Sequence, residues 1–350
     1  MGRLCATDSR ARWFVIFDRA MDQERDWFYP AITMTALLCV VASMGDRSSL
    51  PLLAIFPMWL FVGLLSLGAV VMAWVLRLIS QGELSPSRQL RERLNESSWP
   101  LIGFILAGLN LCAFMRVKPL LNRFIPFTAD PFLARVDRAI FFGHDGAKLL
   151  SWFNTDALAI FYSRAWFTFL VVALLVTLFR PPSREKTRLI LVYFALWTFA
   201  GPLIHLLMPA AGPLFYKAIG YGNHFEYLDK PGQLLNLRDY LWRSYVSGEA
   251  GPGAGISAMP SMHVATTAWA AFAIRQLWPK TTIAVVAVTI FILSLSVALG
   301  WHYLVDGLVG VLSMVVLFRL EPSGWDLAER LRSRWRSGVG PLSSSGVKPF

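Results

Sequence analysis

The sequence predicts an all-α protein, a polytopic transmembrane helix bundle of about eight spans with both termini in the cytoplasm. Of its 350 residues 55% are hydrophobic and only 16% are charged, whereas a soluble domain carries roughly 25% charged residues. The 14 Trp and 25 Phe residues suit a chain that meets lipid interfaces. This composition argues against a soluble enzyme and against a disordered or fibrous protein.

Long uncharged stretches begin at Trp27 and recur through the chain. Because backbone polar groups in lipid must pair within their own segment, each stretch is expected to be a helix. A helix needs about 20 apolar residues to cross the hydrocarbon core, with about 17 as the lower limit. The predicted spans are 27–44, 51–76, 99–115, 157–179, 189–208, 262–278, 281–299 and 303–318.

The excess of basic residues, which gives a net charge of +11, is explained by the predicted topology. With the N-terminus inside, the inner segments contain 21 of the 33 Lys and Arg residues and the outer segments contain 11, while Arg164 lies within a span. This asymmetry satisfies the positive-inside rule. No nucleic-acid partner is expected, because the sequence lacks a clustered basic face with a reader motif. The three cysteines lack metal-binding spacing, and no metal or other cofactor is expected.

Two histidines stand in informative contexts at the ends of predicted spans. His263 ends the stretch Pro260-Ser-Met-His263, and His302 begins the stretch His302-Tyr-Leu-Val-Asp306. The helix from about 262 is predicted to run inward and the helix 281–299 to return outward, so both histidines should lie at the same outer face. Asp306, four residues after His302, can accept a hydrogen bond from its imidazole and make the other ring nitrogen a better nucleophile.

A candidate anion cradle precedes His263. A Gly-rich run, 251–255, leads to Ser261, which can cap the next helix, and free N–H groups at a helix start favour an anion. A nucleophilic histidine with its carboxylate, a second histidine as acid and an anion cradle together suit phosphoryl transfer without a metal.

These two motifs resemble the second and third signature motifs of the type 2 phosphatidic acid phosphatase superfamily. The resemblance implies that His302 attacks phosphorus, that Asp306 orients it, and that His263 protonates the leaving group. It is strongest over about 200–315. The usual first motif, K-x6-R-P, is not present, and Leu295 and Ser296 stand where the third motif usually has Ser-Arg.

The pattern is closer to the branch that includes inositol phosphorylceramide synthases. That branch has a Pro/Gly-rich segment ending in Tyr before the second motif, and the segment 209–216 resembles it. The stretch 118–137 resembles the interfacial loop of the same branch. The substrate-pocket residues implied by this resemblance are Gly212, Pro213, Tyr216 and Tyr303.

Because the usual Arg of the third motif is missing, other residues are expected to bind the phosphate. A charge within an apolar span, such as Arg164, is a functional hypothesis, although snorkelling to the interface is an equal alternative. The cations predicted in outer loops fit headgroup or solvent contacts as well as phosphate. The candidate phosphate-binding residues are Ser261, Arg164, Lys118, Arg123 and Lys217.

The sequence therefore predicts an integral membrane lipid phosphatase or phosphotransferase with its active site on the extracytoplasmic face. Water would complete a phosphatase reaction on the phosphohistidine and an alcohol a phosphotransferase reaction, and the missing Arg favours a phosphodiester substrate with less charge. A transporter or lipid-binding protein is the alternative. Such a protein would be indicated by charged residues at the bilayer midplane in two corresponding halves of the sequence, and no paired halves appear here. The predicted partners are a lipid phosphate or phospholipid and the bilayer, and nothing indicates an oligomeric state.

Four regions follow from the spans and motifs. The predicted regions are a cytoplasmic N-terminal segment (1–26), two accessory transmembrane helices with an inner loop (27–98), the membrane phosphatase or phosphotransferase domain (99–320) and a basic cytoplasmic tail (321–350).

Overall fold

The computed structural model describes residues 7–45, 50–82, 85, 98–229, 232–248 and 253–320. Over these residues the chain is helical and contains no strand, which confirms the predicted fold class. The α-helices in order are α1 (Thr7–Ser43), α2 (Leu50–Ser80), α3 (Ser98–Phe124), α4 (Asp130–Ile140), α5 (Gly146–Leu149), α6 (Asp156–Leu178), α7 (Arg184–Leu207), α8 (Gln233–Ser247), α9 (Met262–Leu277), α10 (Thr282–Ala298) and α11 (304–320).

Six segments of the described chain are long and apolar enough to cross a membrane, and they confirm six of the predicted spans. Helices α9 and α11 lie where the other two spans were predicted, but with 16 and 17 residues they are near the lower limit of about 17. That these two cross the bilayer, and that both termini are cytoplasmic, stay predictions. The six segments are Asp26–Ser43, Ala54–Ser80, Trp99–Phe124, Asp156–Leu178, Arg184–Leu207 and Pro279–Ala298.

Two predicted outer loops contain more helix than expected. Helix α3 continues to Phe124, so Lys118 and Arg123 lie in its last two turns rather than in a loop. Pro119 stands inside this helix and does not end it, as is common where neighbouring helices satisfy the freed backbone group. The predicted loop 209–261 contains α8. The predicted tail 321–350 and most of the predicted inner loop 77–98 lie outside the described residues.

The N-terminal helices α1 and α2 belong to the main core of the bundle. Trp27 of α1 and Trp59 of α2 are fully buried in one apolar cluster with side chains of α3, α6, α7 and α9. Trp59 Nε1 donates to the carbonyl oxygen of Phe104 at 3.0 Å. A Cβ at Gly108 would stand 2.6 Å from the Trp59 ring, so glycine permits the close approach of α2 and α3.

A buried amide joins three helices in the middle of the bundle. Asn110 Nδ2 of α3 contacts Thr35 Oγ1 of α1 at 3.3 Å and Thr198 Oγ1 of α7 at 3.1 Å. Such bonds stabilise helix association in apolar surroundings by about 0.6 kcal/mol each. Thr198 lies in a π-helical turn, Leu196–Ala200, that interrupts α7. Turns of this kind often accompany functional sites.

A buried ion pair joins α1 to the start of α7. Lys186 Nζ lies 2.5 Å from Glu24 Oε1, and both side chains are nearly inaccessible to solvent. Lys186 Nζ also donates to the Arg180 carbonyl oxygen at 3.0 Å, and Glu24 accepts a hydrogen bond from Trp27 Nε1. The pair therefore fixes α1 against α7 at the end of the bundle opposite to the histidines.

Lys186→Met should lower the free energy of unfolding by about 3 kcal/mol, because it leaves Glu24 buried without its counter-charge. The double variant Glu24→Gln/Lys186→Met should recover most of this loss. Chemical unfolding of the protein in detergent micelles measures both. Lys217→Met, which breaks a half-exposed ion pair with Glu226, is the control and should leave stability unchanged. A double variant as unstable as the single one would contradict the role given to the pair.

Candidate active site

His263 and His302 lie together at one end of the bundle. His263 is the second residue of α9, and His302 lies between the end of α10 and the start of α11. Their ring centroids are 6.3 Å apart. The two motifs therefore meet as their helix directions predicted.

The ring of His302 is held by a backbone carbonyl. His302 Nδ1 lies 2.8 Å from the carbonyl oxygen of Ala258. Because a carbonyl oxygen only accepts, Nδ1 carries the proton and Nε2 is left with the lone pair.

Asp306 lies close to His302 without the hydrogen bond that the sequence predicted. Asp306 Oδ2 is 3.7 Å from His302 Nδ1, beyond hydrogen-bond range. The same oxygen accepts a hydrogen bond from the backbone N–H of Tyr303 at 2.8 Å. At this distance the buried carboxylate acts on the imidazole through its charge, while Ala258 fixes the direction of the ring.

Ser261 links the second motif to the third. Its backbone N–H donates to the Asp306 carbonyl oxygen at 2.9 Å. A Cβ at Gly310 would stand 2.7 Å from the Ser261 carbonyl oxygen, so glycine permits α11 to approach the start of α9. Ser261 is the N-cap residue of α9, but its side chain makes no capping bond, contrary to the expectation from the sequence. Its hydroxyl is buried near the Tyr162 side chain and makes no hydrogen bond within the usual range to the described residues.

Two aromatic side chains of α6 hold the ring of His263. Tyr162 stacks on it with centroids 4.8 Å apart, and the Trp166 centroid is 4.1 Å away. Trp166 is itself fixed, since its Nε1 donates to Thr266 Oγ1 at 2.9 Å. The sequence analysis did not identify this pair, although a spacing of four residues places both rings on one helical face.

A buried polar network holds Ile256 and Ser257, which lie between the Gly-rich run and His263. Asn122 Oδ1 accepts the Ile256 N–H at 2.8 Å, which leaves Asn122 Nδ2 to donate to His205 Nε2 at 3.2 Å. His205 Nδ1 therefore carries the proton, and it contacts Ser257 Oγ at 3.1 Å. His205 thus has structural partners on both ring nitrogens.

Gly255, the last residue of the Gly-rich run, lies against α3 at Lys118. Gly255 has a φ of +92°, and a Cβ there would stand 2.6 Å from Lys118 Cβ. The close approach requires glycine and places Lys118 beside the segment that leads to His263.

A cavity of about 660 Å³ joins the two histidines. Lys118 and Arg164 also line it, and no carboxylate does within the described part of the chain. Lys118 and Arg164 therefore give the wall positive charge, apart from any proton on the histidines. Trp197, from the π-helical turn of α7, contributes to the same wall.

Helix α8 covers one side of this cavity. Leu234, Leu237 and Leu241 line it, at the three- and four-residue spacing of one helical face. The backbone N–H of Gln233 at the start of α8 donates to Asp156 Oδ1 of α6 at 2.8 Å. The cavity therefore combines a charged end with an apolar side.

The structure places two predicted phosphate-binding residues away from the cavity. Arg123 Nη2 donates to the Gly248 carbonyl oxygen at 2.6 Å, directly after α8. Lys217 Nζ forms an exposed ion pair with Glu226 at 2.6 Å. Neither side chain lines the cavity. Of the predicted cations, Lys118 and Arg164 are the two that do.

The four predicted substrate-pocket residues pack around the third motif instead of lining the cavity. Gly212 has a φ of +97°, and a Cβ there would stand 2.4 Å from the Trp301 carbonyl oxygen. Pro213 and Tyr303 are buried, and Tyr216 packs against the Phe225 ring at 5.1 Å. The segment 209–216 is thus a support for the loop that carries His302.

Two carboxylates of α4 contact the segment 209–216 and the third motif. The sequence analysis did not assign them this role. Asp130 accepts backbone hydrogen bonds from Ala211 and Gly212, each at 2.8 Å. Asp137 Oδ1 accepts the backbone N–H of Leu304 at 2.7 Å. Burial raises the pKa of Asp130 to about 6 and the pKa of Asp137 to about 7, although the backbone hydrogen bonds act in the opposite direction.

The bundle and its paired histidines agree with one known family. Residues 131–320, more than half of the chain, match the family model described as the PAP2 superfamily. The chain therefore belongs to the PAP2 superfamily, as the two histidine motifs predicted, and this membership supports a phosphatase-type lipid enzyme. The matched residues include both histidine motifs and all of α4 except Asp130. Comparisons with curated proteins and with solved structures each gave no match.

The pKa of Asp137 predicts a pH dependence of stability. Between about pH 4 and pH 7 the unfolded chain loses this proton and the folded chain keeps it, so stability falls as the pH rises. From pH 5 to pH 7 the free energy of unfolding should fall by about 2 kcal/mol through this group.

Asp137→Asn should remove this group's contribution to the fall in the free energy of unfolding between pH 5 and pH 7. Chemical unfolding in micelles at both pH values measures it. Asp239→Asn, at a half-exposed carboxylate, is the control and should keep the wild-type slope. A wild-type slope in Asp137→Asn would show that the carboxyl group does not titrate in this interval.

Proposed function

We propose that the chain is an integral membrane lipid phosphatase or phosphotransferase that acts through a phosphohistidine at His302. The observation that carries the proposal is the pair of histidine rings, 6.3 Å apart, on the wall of one positively charged cavity. A phosphoryl group bound in this cavity would have one histidine beside it for attack and the other for proton transfer.

In the first step, His302 Nε2 attacks phosphorus while the bond to the leaving alcohol breaks. His263, protonated, gives its proton to the leaving oxygen. The imidazole of His302 gains positive charge as the nitrogen–phosphorus bond forms, and the Asp306 carboxylate at 3.7 Å stabilises that charge. In the second step, water or an acceptor alcohol gives a proton to His263 and attacks phosphorus, which restores the lone pair of Nε2.

Groups from three helices are proposed to hold the phosphate. Lys118 of α3 and Arg164 of α6 supply positive charge from the cavity wall. The start of α9 supplies N–H groups that have no acceptor within the helix, together with the unpaired hydroxyl of Ser261. Developing charge on the phosphoryl oxygens would meet these groups without rearrangement.

The apolar side of the cavity supports a lipid substrate. Leucines of α8 and the side chains of Phe114 and Met115 line it. An acyl chain placed there would leave its phosphate at the charged end. The distribution of Lys and Arg along the sequence supports an extracytoplasmic position for this end of the bundle.

The transfer reaction, similar to that of inositol phosphorylceramide synthases, is the form we favour. Leu295 and Ser296 are buried and supply no cation. A phosphodiester carries one negative charge and needs fewer cations than a doubly charged monoester.

Two substrate mixtures distinguish the two reactions. Release of inorganic phosphate from phosphatidic acid would establish a phosphatase. Conversion of phosphatidylinositol and ceramide into diacylglycerol and a phosphoinositol ceramide would establish a transferase.

His302→Ala should lower turnover of the active lipid substrate by several orders of magnitude, because the nucleophile is lost. Purified protein in proteoliposomes with excess chelator is the assay, and the wild type should stay active there. His263→Ala should also lower kcat, and His224→Ala, which alters an exposed loop histidine, is the matched control. Full activity in His302→Ala, or abolition of wild-type turnover by the chelator, would overturn the mechanism.

Lys118→Met should lower kcat/KM by about 10- to 100-fold, the usual effect of removing one charge-assisted hydrogen bond. Lys118→Arg should retain part of the activity, because it keeps the charge. Lys217→Met removes an equal charge outside the cavity and serves as the matched control. Equal losses in Lys118→Met and Lys217→Met would argue against a phosphate contact at Lys118.

A further inference from the structure

We propose that Asp130 and Asp137 of α4 are positioning residues for His302, acting through the backbone that carries this histidine. The inference rests on the proposed function, because it concerns the rate at which His302 reacts. Neither carboxylate lines the cavity, so neither is assigned a contact with substrate.

Asp137 caps helix α11 from outside that helix. The helix begins at residue 304, and Tyr303 in the N-cap position has no short side-chain acceptor for the first N–H groups. Asp306 forms one half of a capping box, since its Oδ2 accepts the Tyr303 N–H at 2.8 Å. Asp137 Oδ1 supplies the missing acceptor by binding the Leu304 N–H at 2.7 Å. The helix start that adjoins His302 therefore depends on α4.

Asp130 holds the other side of the same loop. Its Oδ1 accepts the Gly212 N–H at 2.8 Å and the Tyr303 hydroxyl at 3.1 Å, and its Oδ2 accepts the Ala211 N–H at 2.8 Å. One carboxylate thus joins the segment 209–216 to the third motif.

This segment in turn holds the acceptor of His302. The Ala210 carbonyl oxygen accepts the Ala258 N–H at 2.8 Å, and the Ala258 carbonyl oxygen accepts from His302 Nδ1 at 2.8 Å. The Leu214 N–H also donates to the Gly300 carbonyl oxygen at 2.8 Å. A continuous set of hydrogen bonds therefore connects Asp130 with the imidazole ring.

The two carboxylates act from one rigid element. They are seven residues apart, which places them on one face of α4 two turns apart. Leu133 and Ala134, which lie between them, are buried. Because one helix fixes both the start of α11 and the segment 209–216, the loop between these contacts has little freedom to move. Small displacements of a reacting group lower the rate strongly.

The two carboxylates also have a cost in stability. Asp130 and Asp137 are 0% and 6% exposed, and burial raises the pKa of each. A buried carboxylate whose pKa is raised disfavours the folded state at neutral pH. Their position at the loop of His302 fits the general association of such groups with functional sites.

The experiment compares Asp137→Ala with Asp137→Asn in the proteoliposome assay. The alanine variant should lower kcat by about 10- to 100-fold with KM within about twofold, since the nucleophile is displaced and the cavity is not. The asparagine variant should keep kcat within about threefold, because its amide oxygen can still accept the Leu304 N–H. Asp145→Ala removes a nearby carboxylate that contacts His224 instead, and is the matched control.

Tyr303→Phe provides a second and milder variant if Asp137→Ala does not fold. It removes only the hydroxyl bond to Asp130 and should lower kcat several-fold at unchanged KM. Wild-type kcat in the folded variants of this set, or equal losses in Asp137→Ala and Asp137→Asn, would overturn the inference. If His302→Ala is inactive in the same assay, such a result leaves the proposed function intact. An active His302→Ala would instead remove the proposed function itself.

Discussion

Burial of a polar group among apolar helices is costly unless the group has a partner, and hydrogen bonds that meet this need join the helices of the bundle. Away from the cavity the buried polar groups join helices: Asn110 bonds to hydroxyls of α1 and α7, and Lys186 pairs with Glu24. Near the histidines the Ser261 hydroxyl and Asp306 Oδ1 are buried without hydrogen bonds in the described part of the chain, as Asn110 Oδ1 and the Tyr193 hydroxyl are elsewhere. The two groups beside the histidines are placed where they could bind an anion or stabilise charge.

The sequence was sufficient to predict the helical class, six of the spans and the meeting of the two histidines, because apolar length and helix direction are local properties. It was not sufficient for the boundaries near the site. Pro119 and two basic residues made the end of α3 resemble a loop, and polar residues such as Arg238 and Asp239 concealed α8. At this end of the bundle a helix can carry charge on one face while the other face covers an apolar cavity, so composition alone underestimates its length.

The partners of the catalytic candidates were also beyond prediction from the sequence, since they depend on contacts between distant segments. The spacing of His302 and Asp306 suggested a direct hydrogen bond, but the Ala258 carbonyl takes Nδ1 and Asp306 caps the backbone at Tyr303. Likewise, Asp130 contacts a tyrosine 173 positions later. Orientation by a neutral carbonyl and stabilisation by a nearby charge are therefore divided between two groups, an arrangement that motif spacing does not specify.

The π-helical turn of α7 sets the angular phase of the residues that follow it. A π turn contains about one residue more than an α turn, so the last part of α7 is rotated by about 100° relative to an uninterrupted helix. Trp197, within the turn, lines the cavity, and His205, after the turn, contacts Asn122 and Ser257 and so holds the segment that leads to His263. A single additional residue in one turn thus allows one helix to serve both the wall of the cavity and the scaffold behind it.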